Sequence, residues 1–600
     1  MATARTLNEL LLGALDRSRE RPVAMRAKQG GAWVELSYRD LADRIQDLSL
    51  GLLELGIIPG DRVAILSENR PEWAIADYAC LAACCTDVPI YPTLPAKQVE
   101  HNLSDSGAAA VFVSTRTQLE KLLAIRQRLP RLRHIIGFDQ DVTGEGVLSL
   151  EQVYARGRPA RPARGSWRAD ALRVRPEDLA TIIYTSGTTG EMKGVMLTHG
   201  NIASNVSTCC TLFSFTDQDE CLSFLPLSHI FERMFGHYSM FHSGVIINYA
   251  ESVETVPADM QRWRPTLMAS VPRLYEKIYG RVLEAVRVGS GLKRRIFYWG
   301  KRVGESVVDL RLAGRPVPAA LQLQFRIADR LVFAKLRART GGRIRFFISG
   351  GAPLSADIAR FFHAAGMPVL EGYGLTETSP VIAVNTFQHQ RLGTVGRPIP
   401  AVEVRIAPDG EIITRGPNVM TGYYNKPQAT AETLDAQGWF HTGDIGMLDA
   451  DGFLRITDRK KDIIVTAGGK NISPQPIESL AKTNRFVTNA VMLGDRRPFP
   501  IMIVVPNFEA LGAWAAGEGV YSGTDAVALV ERPEVRAKME HEIRKTLADL
   551  AGFEMPKKLL LLPRDFNIEA DELTPKLSVR RRVVEQRHAA AIEALYHSAE

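Results

Sequence analysis

Residues 184–201 read YTSGTTGEMKGVMLTHGN, and they continue the apolar run LATIIYTSG that begins at Leu179. A buried strand ending in a Ser/Thr/Gly-rich loop with one lysine has the layout of a phosphate cradle at the carboxyl end of a strand. It is not a Walker loop, which needs Gly, four residues, then Gly-Lys-Ser/Thr. Counting on from Gly187, the second glycine position falls on Met192, and Lys193 is followed by Gly194. The glycines let backbone N–H groups turn towards an anion, the hydroxyls add donors, and Lys193 adds positive charge. Thr185, Ser186, Gly187, Thr188, Thr189 and Gly190, with Lys193, are therefore candidate polyphosphate ligands.

The same texture extends outward. DRVAILSEN (61–69), AAAVFVST (108–115), GVIINY (244–249), TLMASVP (266–272) and IRFFISGG (344–351) read as buried strands ending in turn residues, with helical patterns between them. That alternation predicts α/β layers with ligand sites at the carboxyl ends of strands. After about residue 400 the pieces shorten, and AVEVRIAPDGEIITRG and GFLRITDRKKDIIVTAGGKN suggest hairpins turning at PDGE and DADGF. A boundary is expected at Asp458, inside the charged TDRKKD, where a hinge would be solvent-exposed. It divides the chain into 1–457 and 458–600.

Six hundred residues exceed one hydrophobic core, and 45% apolar with 24% charged residues is ordinary for a globular chain. The N-terminus mixes charge with apolar residues, so it predicts an amphipathic first helix rather than a signal peptide. No stretch offers the ~18 apolar residues of a membrane span. Cys80, Cys84, Cys85, Cys209, Cys210 and Cys221 form no CxxC pair. They are expected to be buried free thiols, which points to a reducing cytosol. The net charge is +7, but residues 281–340 hold fourteen Lys/Arg against four Asp/Glu, a local +10. No nucleic-acid motif accompanies this segment, so a nucleic-acid partner is not expected. In GLKRRIFYWGKRVGESVVDL (291–310) basic and apolar residues alternate as in an amphipathic helix on an anionic membrane surface, or as on a solvated helical face.

Two further stretches carry chemistry. EGYGLTETSP (371–380) sets Tyr373, which could stack on a base, beside Thr376 for a phosphate oxygen and Glu377, a suitable oxygen ligand for Mg²⁺. GWFHTGDIG (438–446) places Asp444 in a turn, where a carboxylate accepts both hydroxyls of a ribose.

Together, YTSGTTGEMKG, GYGLTET, GWFHTGD and DRKKDIIVTAGGKNISP resemble the core motifs of the AMP-forming acyl-adenylate superfamily, and the likeness runs from YRDLADRIQDLSLGLLELGI (38–57) to ELTPKLSVRRR (572–582). LPLSHIFERM, SVPRLYEKIY and the basic insertion are similar to long-chain fatty acyl-CoA synthetases. The resemblance implies a large multi-sheet adenylating domain with a small, mobile α+β lid domain. It implies that a fatty acid attacks ATP to give acyl-AMP, and that coenzyme A then displaces AMP. Thr185 to Gly190 would hold the departing phosphates, and Thr376 with Glu377 would serve phosphate and Mg²⁺. Gly350, Gly351, Ala352 and Tyr373, with Gly374 next to them, would form the adenine slot. Asp444 and Arg459 would take the ribose, and His229 would sit near the carboxylate. Gly468 and Gly469 would line the pantetheine tunnel after the lid rotates about Asp458.

One stretch departs from the family pattern. Long-chain members usually carry TPTLK near the C-terminus, whereas this chain has Thr574-Pro575-Lys576-Leu577-Ser578. Ser578 stands in the lysine position, and Lys576, two residues earlier, is assigned its role: on a strand the two share a face, whereas in a turn that geometry would be lost. Arg580 and Arg581 are the fallback cations for that role, although arginine's broad fork is not a lysine's point charge. Two other readings remain at this stage: an acyl-AMP ligase that loads a carrier protein, and an acyl- and nucleotide-binding protein with weak ligase activity.

Overall fold

The computed structural model describes residues 4–163, 167–186, 192–467, 469–567, 569–574 and 579–597. Every strand anticipated above forms, and the longest apolar runs lie in the middle of two large sheets. One has eight strands, in the order Gly422–Tyr423, Met192–Thr198, Leu179–Ser186, Thr86–Ile90, Arg62–Leu66, Ala110–Val113, His134–Gly137 and Val147–Ser149. From Leu179–Ser186 onward its pairs are parallel, and the two strands on the other side are antiparallel. The other sheet has nine strands and is parallel through its centre, where Leu267–Ser270, Phe346–Ser349 and Val369–Gly374 lie side by side. Strands such as Ala110–Val113 and Phe346–Ser349 are buried along their whole length, as expected for strands covered on both faces.

A four-stranded antiparallel sheet, Glu403–Ile406, Glu411–Arg415, Phe440–Leu448 and Leu454–Arg459, follows. Its half-buried strands read as alternation in the sequence because only one face is covered. Beyond it, Val487–Leu493, Ile501–Pro506 and Lys558–Leu561 form a three-stranded sheet. Its helices pack on a separate core that includes Phe486, Met502, Leu511 and Met539.

The first helix, Leu7–Arg17, begins with a reciprocal Thr6/Glu9 capping box and buries Leu7, Leu10, Leu11 and Leu15. All six cysteines are free thiols; Cys80, Cys85, Cys209 and Cys221 are buried, while Cys84 and Cys210 are partly so. No helix among the described residues is long and apolar enough to cross a membrane.

Two expectations change. Asp458 is not solvent-exposed: it is a buried residue at the end of Leu454–Arg459, and its carboxylate accepts the N–H of Arg459 (2.6 Å) and of Gln475 (3.4 Å). It thereby serves an amide left without an intrahelical partner at the start of Pro474–Ala481. The basic helix Gly291–Leu312 forms, but its apolar face is turned into the protein, burying Phe297, Val303, Val307 and Val308. Gly300 and Gly304 allow the close approach: a Cβ at 304 would stand 2.6 Å from Phe333 and 2.8 Å from Ala364.

A buried ion cluster fixes the segment that follows His229. Arg233, fully buried, reaches Asp77 and Asp87 at 2.5 Å and Thr181 at 2.9 Å, and it stacks over Trp73 at 5.6 Å. These partners come from the helix Pro71–Ala82 and two strands of the eight-stranded sheet, so one guanidinium ties three elements to the π-helical turn Glu232–Ser239.

Candidate active site

A cavity of about 730 Å³ opens where the two large sheets meet the four-stranded sheet. Its polar end is built from strand ends and turns. The strands Leu179–Ser186 and Met192–Thr198 pair with Thr185 opposite Lys193, and both residues line the cavity. A strand, not a helix, thus follows the loop, a second reason that it is no Walker loop. Gly187, Thr188, Thr189, Gly190 and the side chain of Ser186 lie outside the described residues, as do Gly468 and Lys576.

Tyr373 and Gly374 end the strand Val369–Gly374, and Thr376 and Glu377 form the turn after it; all four line the cavity. Gly350 and Gly351 line it from the end of Phe346–Ser349, and a Cβ at 350 would approach the Phe231 ring to 3.2 Å. Ala352, next along the chain, is exposed and does not line the cavity.

Asp444 and Arg459 face each other across the antiparallel pair Phe440–Leu448 and Leu454–Arg459, with Arg459 Nε 3.5 Å from Asp444 Oδ1. Tyr373 Oη donates to Asp444 Oδ2 at 2.7 Å. Burial raises the Asp444 carboxyl above its ordinary range, while Arg459 and the Tyr373 hydroxyl oppose that shift. Beneath this turn the Glu411 carboxylate accepts from Gly443 N–H (2.9 Å) and Lys460 (3.1 Å). Against the cost of burial, these donors and His441 hold Glu411 below the usual carboxylate range. The turn carrying Asp444 is thus fixed from below.

His229 lines the cavity beside Phe231, and its Nδ1 accepts the Phe231 N–H at 3.1 Å. An accepting Nδ1 leaves the ring proton on Nε2. The remaining wall is apolar: Cys209 and Phe213 from the helix His199–Phe213, Met234 and Phe235 from the π-helical turn, and Ile348 and Val384 from the nine-stranded sheet. Behind this wall Phe213 stacks on Phe346 (5.7 Å) and meets Phe235 edge-on (6.1 Å), and Phe387 meets Phe346 edge-on at 5.3 Å.

Several lining residues were not singled out from the sequence. Tyr423 Oη donates to Glu377 Oε1 at 2.9 Å, and Lys193 Nζ lies 5.1 Å from the centre of the same ring. Burial and the Glu377 charge push this phenol up. Lys461 lines the cavity with its ammonium lowered by burial and by Arg459. From the C-terminal region Thr574 lines it as well, and so does Arg580, one of the two cations named beside Lys576 from the sequence. Arg581 instead turns into its own domain, against Glu478 at 2.5 Å. Gly469 is exposed, with φ +73°, and does not line the cavity.

Residues 14–424 match the AMP-binding enzyme family, and residues 461–600 match the AMP-binding enzyme C-terminal domain. The chain belongs to the AMP-binding enzyme family. Among curated AMP-binding enzymes it is 36% identical to the long-chain-fatty-acid–CoA ligase FadD15 of Mycobacterium bovis, over 94% of this chain and 93% of that one. It is 35% identical to the peroxisomal long chain acyl-CoA synthetase 7 of Arabidopsis thaliana, over 94% and 82%. Among solved structures, the adenylation domain of a carboxylate reductase from Mycobacterium chelonae superposes with a TM-score of 0.75 at 22% identity, covering 99% of this chain and 91% of that one. This likeness establishes the shared fold.

Proposed function

We propose that this AMP-binding enzyme is a long-chain fatty acid–CoA ligase. The observation that carries the reading is one continuous cavity with a hydroxyl- and charge-lined end and an apolar wall of Phe213, Met234, Phe235, Ile348 and Val384. Such a cavity suits a nucleotide and an alkyl chain whose carboxylate lies between them. In the first step a carboxylate oxygen of the acid attacks the α-phosphorus of ATP, the bond to the β-phosphate oxygen breaks, and pyrophosphate leaves. In the second, the coenzyme A thiolate attacks the acyl carbon and AMP leaves, the thiol proton passing to solvent.

Both reactants of the first step are anions, so charge neutralisation and alignment do most of the work. In our assignment Asp444 accepts the ribose hydroxyls beside Arg459, and Gly350, Gly351 and Tyr373 receive the base. Thr185, Lys193 and the loop between them hold the departing phosphates. The His229 Nε2–H donates towards the carboxylate, held in place by the Phe231 amide. A single carboxylate, Glu377, beside Thr376 fits Mg²⁺, which prefers one or two carboxylates plus phosphate oxygens and would lower the charge at the phosphates.

Residues 1–457 act as the adenylating domain and 458–600 as the lid. Thr574 and Arg580 facing the cavity suit the adenylating pose, and Lys576 is assigned the adenylation lysine's role. The second step would bring Gly468 and Gly469 to the cavity by rotation about Asp458. The six free thiols suit a cytosolic enzyme, and the basic segment 281–340 suits one that meets its substrate at an anionic membrane surface.

Incubation with palmitate, Mg·ATP and coenzyme A tests the reading. We expect palmitoyl-CoA and AMP in equal amounts by mass spectrometry. Accumulation of palmitoyl-AMP that only a carrier protein's pantetheine relieves would replace it with the carrier-loading ligase.

A further inference from the structure

Six of the fifteen large apolar side chains left exposed among the described residues fall between 288 and 331: Val288, Leu292, Tyr298, Leu323, Ile327 and Leu331. The last three recur at a spacing of four along one unbroken helical stretch, Ala319–Ala328, Asp329–Phe333 and Ala334–Arg339. Their exposures are 59%, 46% and 45%. The opposite side of that stretch is used internally: Ala328, Phe333 and Leu336 are buried, and Arg311 stacks over Phe325 at 5.3 Å. A row of large aliphatic side chains facing outward has no role in this fold.

The charge of the segment is equally one-sided. Of the fourteen Lys/Arg between 281 and 340, Arg287, Lys301 and Arg337 pair with Glu284, Glu305 and Asp329, and Arg360 takes Asp309. All four acids of the segment are thereby occupied. The eleven remaining cations are all exposed, and among the described residues none has a carboxylate partner. Arg326 and Arg330, three residues on from Leu323 and Ile327, are exposed beside the row.

We propose that the face bearing Leu323, Ile327 and Leu331, with Arg326 and Arg330 beside them, is the surface on which this enzyme docks onto an anionic phospholipid bilayer. A row of aliphatic tips entering the headgroup region inside a field of free cations has the chemistry of an interfacial helix. A second copy of the chain fits less well, because a symmetric contact would set one +10 segment against another. A nucleic acid would answer the charge and leave the aliphatic row exposed. This proposal deepens the membrane part of the reading above and moves the apolar contact from Gly291–Leu312, whose apolar face is internal, to the next helix.

Co-sedimentation tests it with vesicles of equal parts phosphatidylglycerol and phosphatidylcholine, against vesicles of phosphatidylcholine alone. We expect wild type to bind the anionic vesicles and to be released by high salt. Leu323→Asp/Ile327→Asp should weaken binding about ten-fold or more by setting charge against the headgroup boundary. Arg326→Glu/Arg330→Glu, which touches no apolar residue, should weaken it on anionic vesicles as well. Both variants should make acyl-CoA from detergent-dispersed palmitate at the wild-type rate, which separates failure of docking from failure of the ligase reading. Equal binding to neutral vesicles, no effect of salt, or wild-type binding by both variants would overturn the proposal. So would a wild-type dimer in solution that the aliphatic variant dissociates.

Discussion

Tyr423→Phe isolates one bond in the candidate site. The ring stays, so its packing and the 5.1 Å contact with Lys193 Nζ are kept, and only the hydroxyl that donates to Glu377 Oε1 at 2.9 Å is lost. Hydrogen bonds to charged groups contribute ~1.5–3 kcal/mol when buried. Glu377 is partly exposed, so the lower part of that range applies, about ten-fold in an equilibrium or rate constant. The bond orients the carboxylate assigned to Mg²⁺, so the loss should appear in the metal dependence. ATP–pyrophosphate exchange, driven by palmitate and followed against free Mg²⁺, should require about ten-fold more metal for half-maximal rate in the variant. Glu377→Gln should lower the rate at every Mg²⁺ concentration. If Tyr423→Phe follows the wild-type Mg²⁺ curve, the hydroxyl does not position a metal ligand, and the role given to Glu377 fails with it.

Phe213→Leu enlarges the apolar wall, so if Phe213 limits the acyl site, competition between acids of different length should favour longer chains than wild type does; an unchanged profile would place the limit elsewhere. Asp87→Ala leaves the buried Arg233 one carboxylate short, and breaking a buried pair costs ~3–5 kcal/mol, read as a lower urea midpoint of the N-terminal domain. A shift below ~1 kcal/mol would mean that Asp77 and Thr181 suffice. Burial, opposed by the Arg459 and Gln475 amides, raises Asp458 to about 6. The native state then keeps a proton that the unfolded chain releases near the ordinary carboxylate value, so stability falls as pH rises between roughly 4 and 6. Melting curves of wild type should lose ground to Asp458→Asn across that window, and parallel curves would contradict the assignment.

The fold was legible because buried parallel strands announce themselves. ATIIY, AVFV and FFIS are apolar on both faces and stop at turn residues, and the alternation in EVRI and EIITR marks the half-covered antiparallel sheet. The polar end of the cavity was legible for a related reason: Thr376, Glu377, Asp444 and Arg459 sit in short strings of chemistry-bearing types. The apolar wall was not, since Phe213, Phe235, Ile348 and Val384 come from four elements and look like any core residue in each. Tyr423 carried no signal, because its partner Glu377 is brought to it by folding and not by spacing. Asp458 sits in a run of charges that reads as solvated, yet two backbone amides claim its carboxylate. In the basic helix the sequence period identified an apolar face, and nothing in a period says whether protein or lipid covers that face.

The measurement that bears most directly on the central claim is pyrophosphate release from Mg·ATP with straight-chain acids of increasing length, with and without coenzyme A, for wild type and Lys576→Ala. The proposed placing of a nucleotide at the polar end of the cavity and an alkyl chain along its apolar wall predicts release that rises steeply towards long chains, acyl-CoA formed when coenzyme A is present, and a variant that stalls before acyl-AMP. Release that is independent of the acid, or driven equally by acetate, would contradict it.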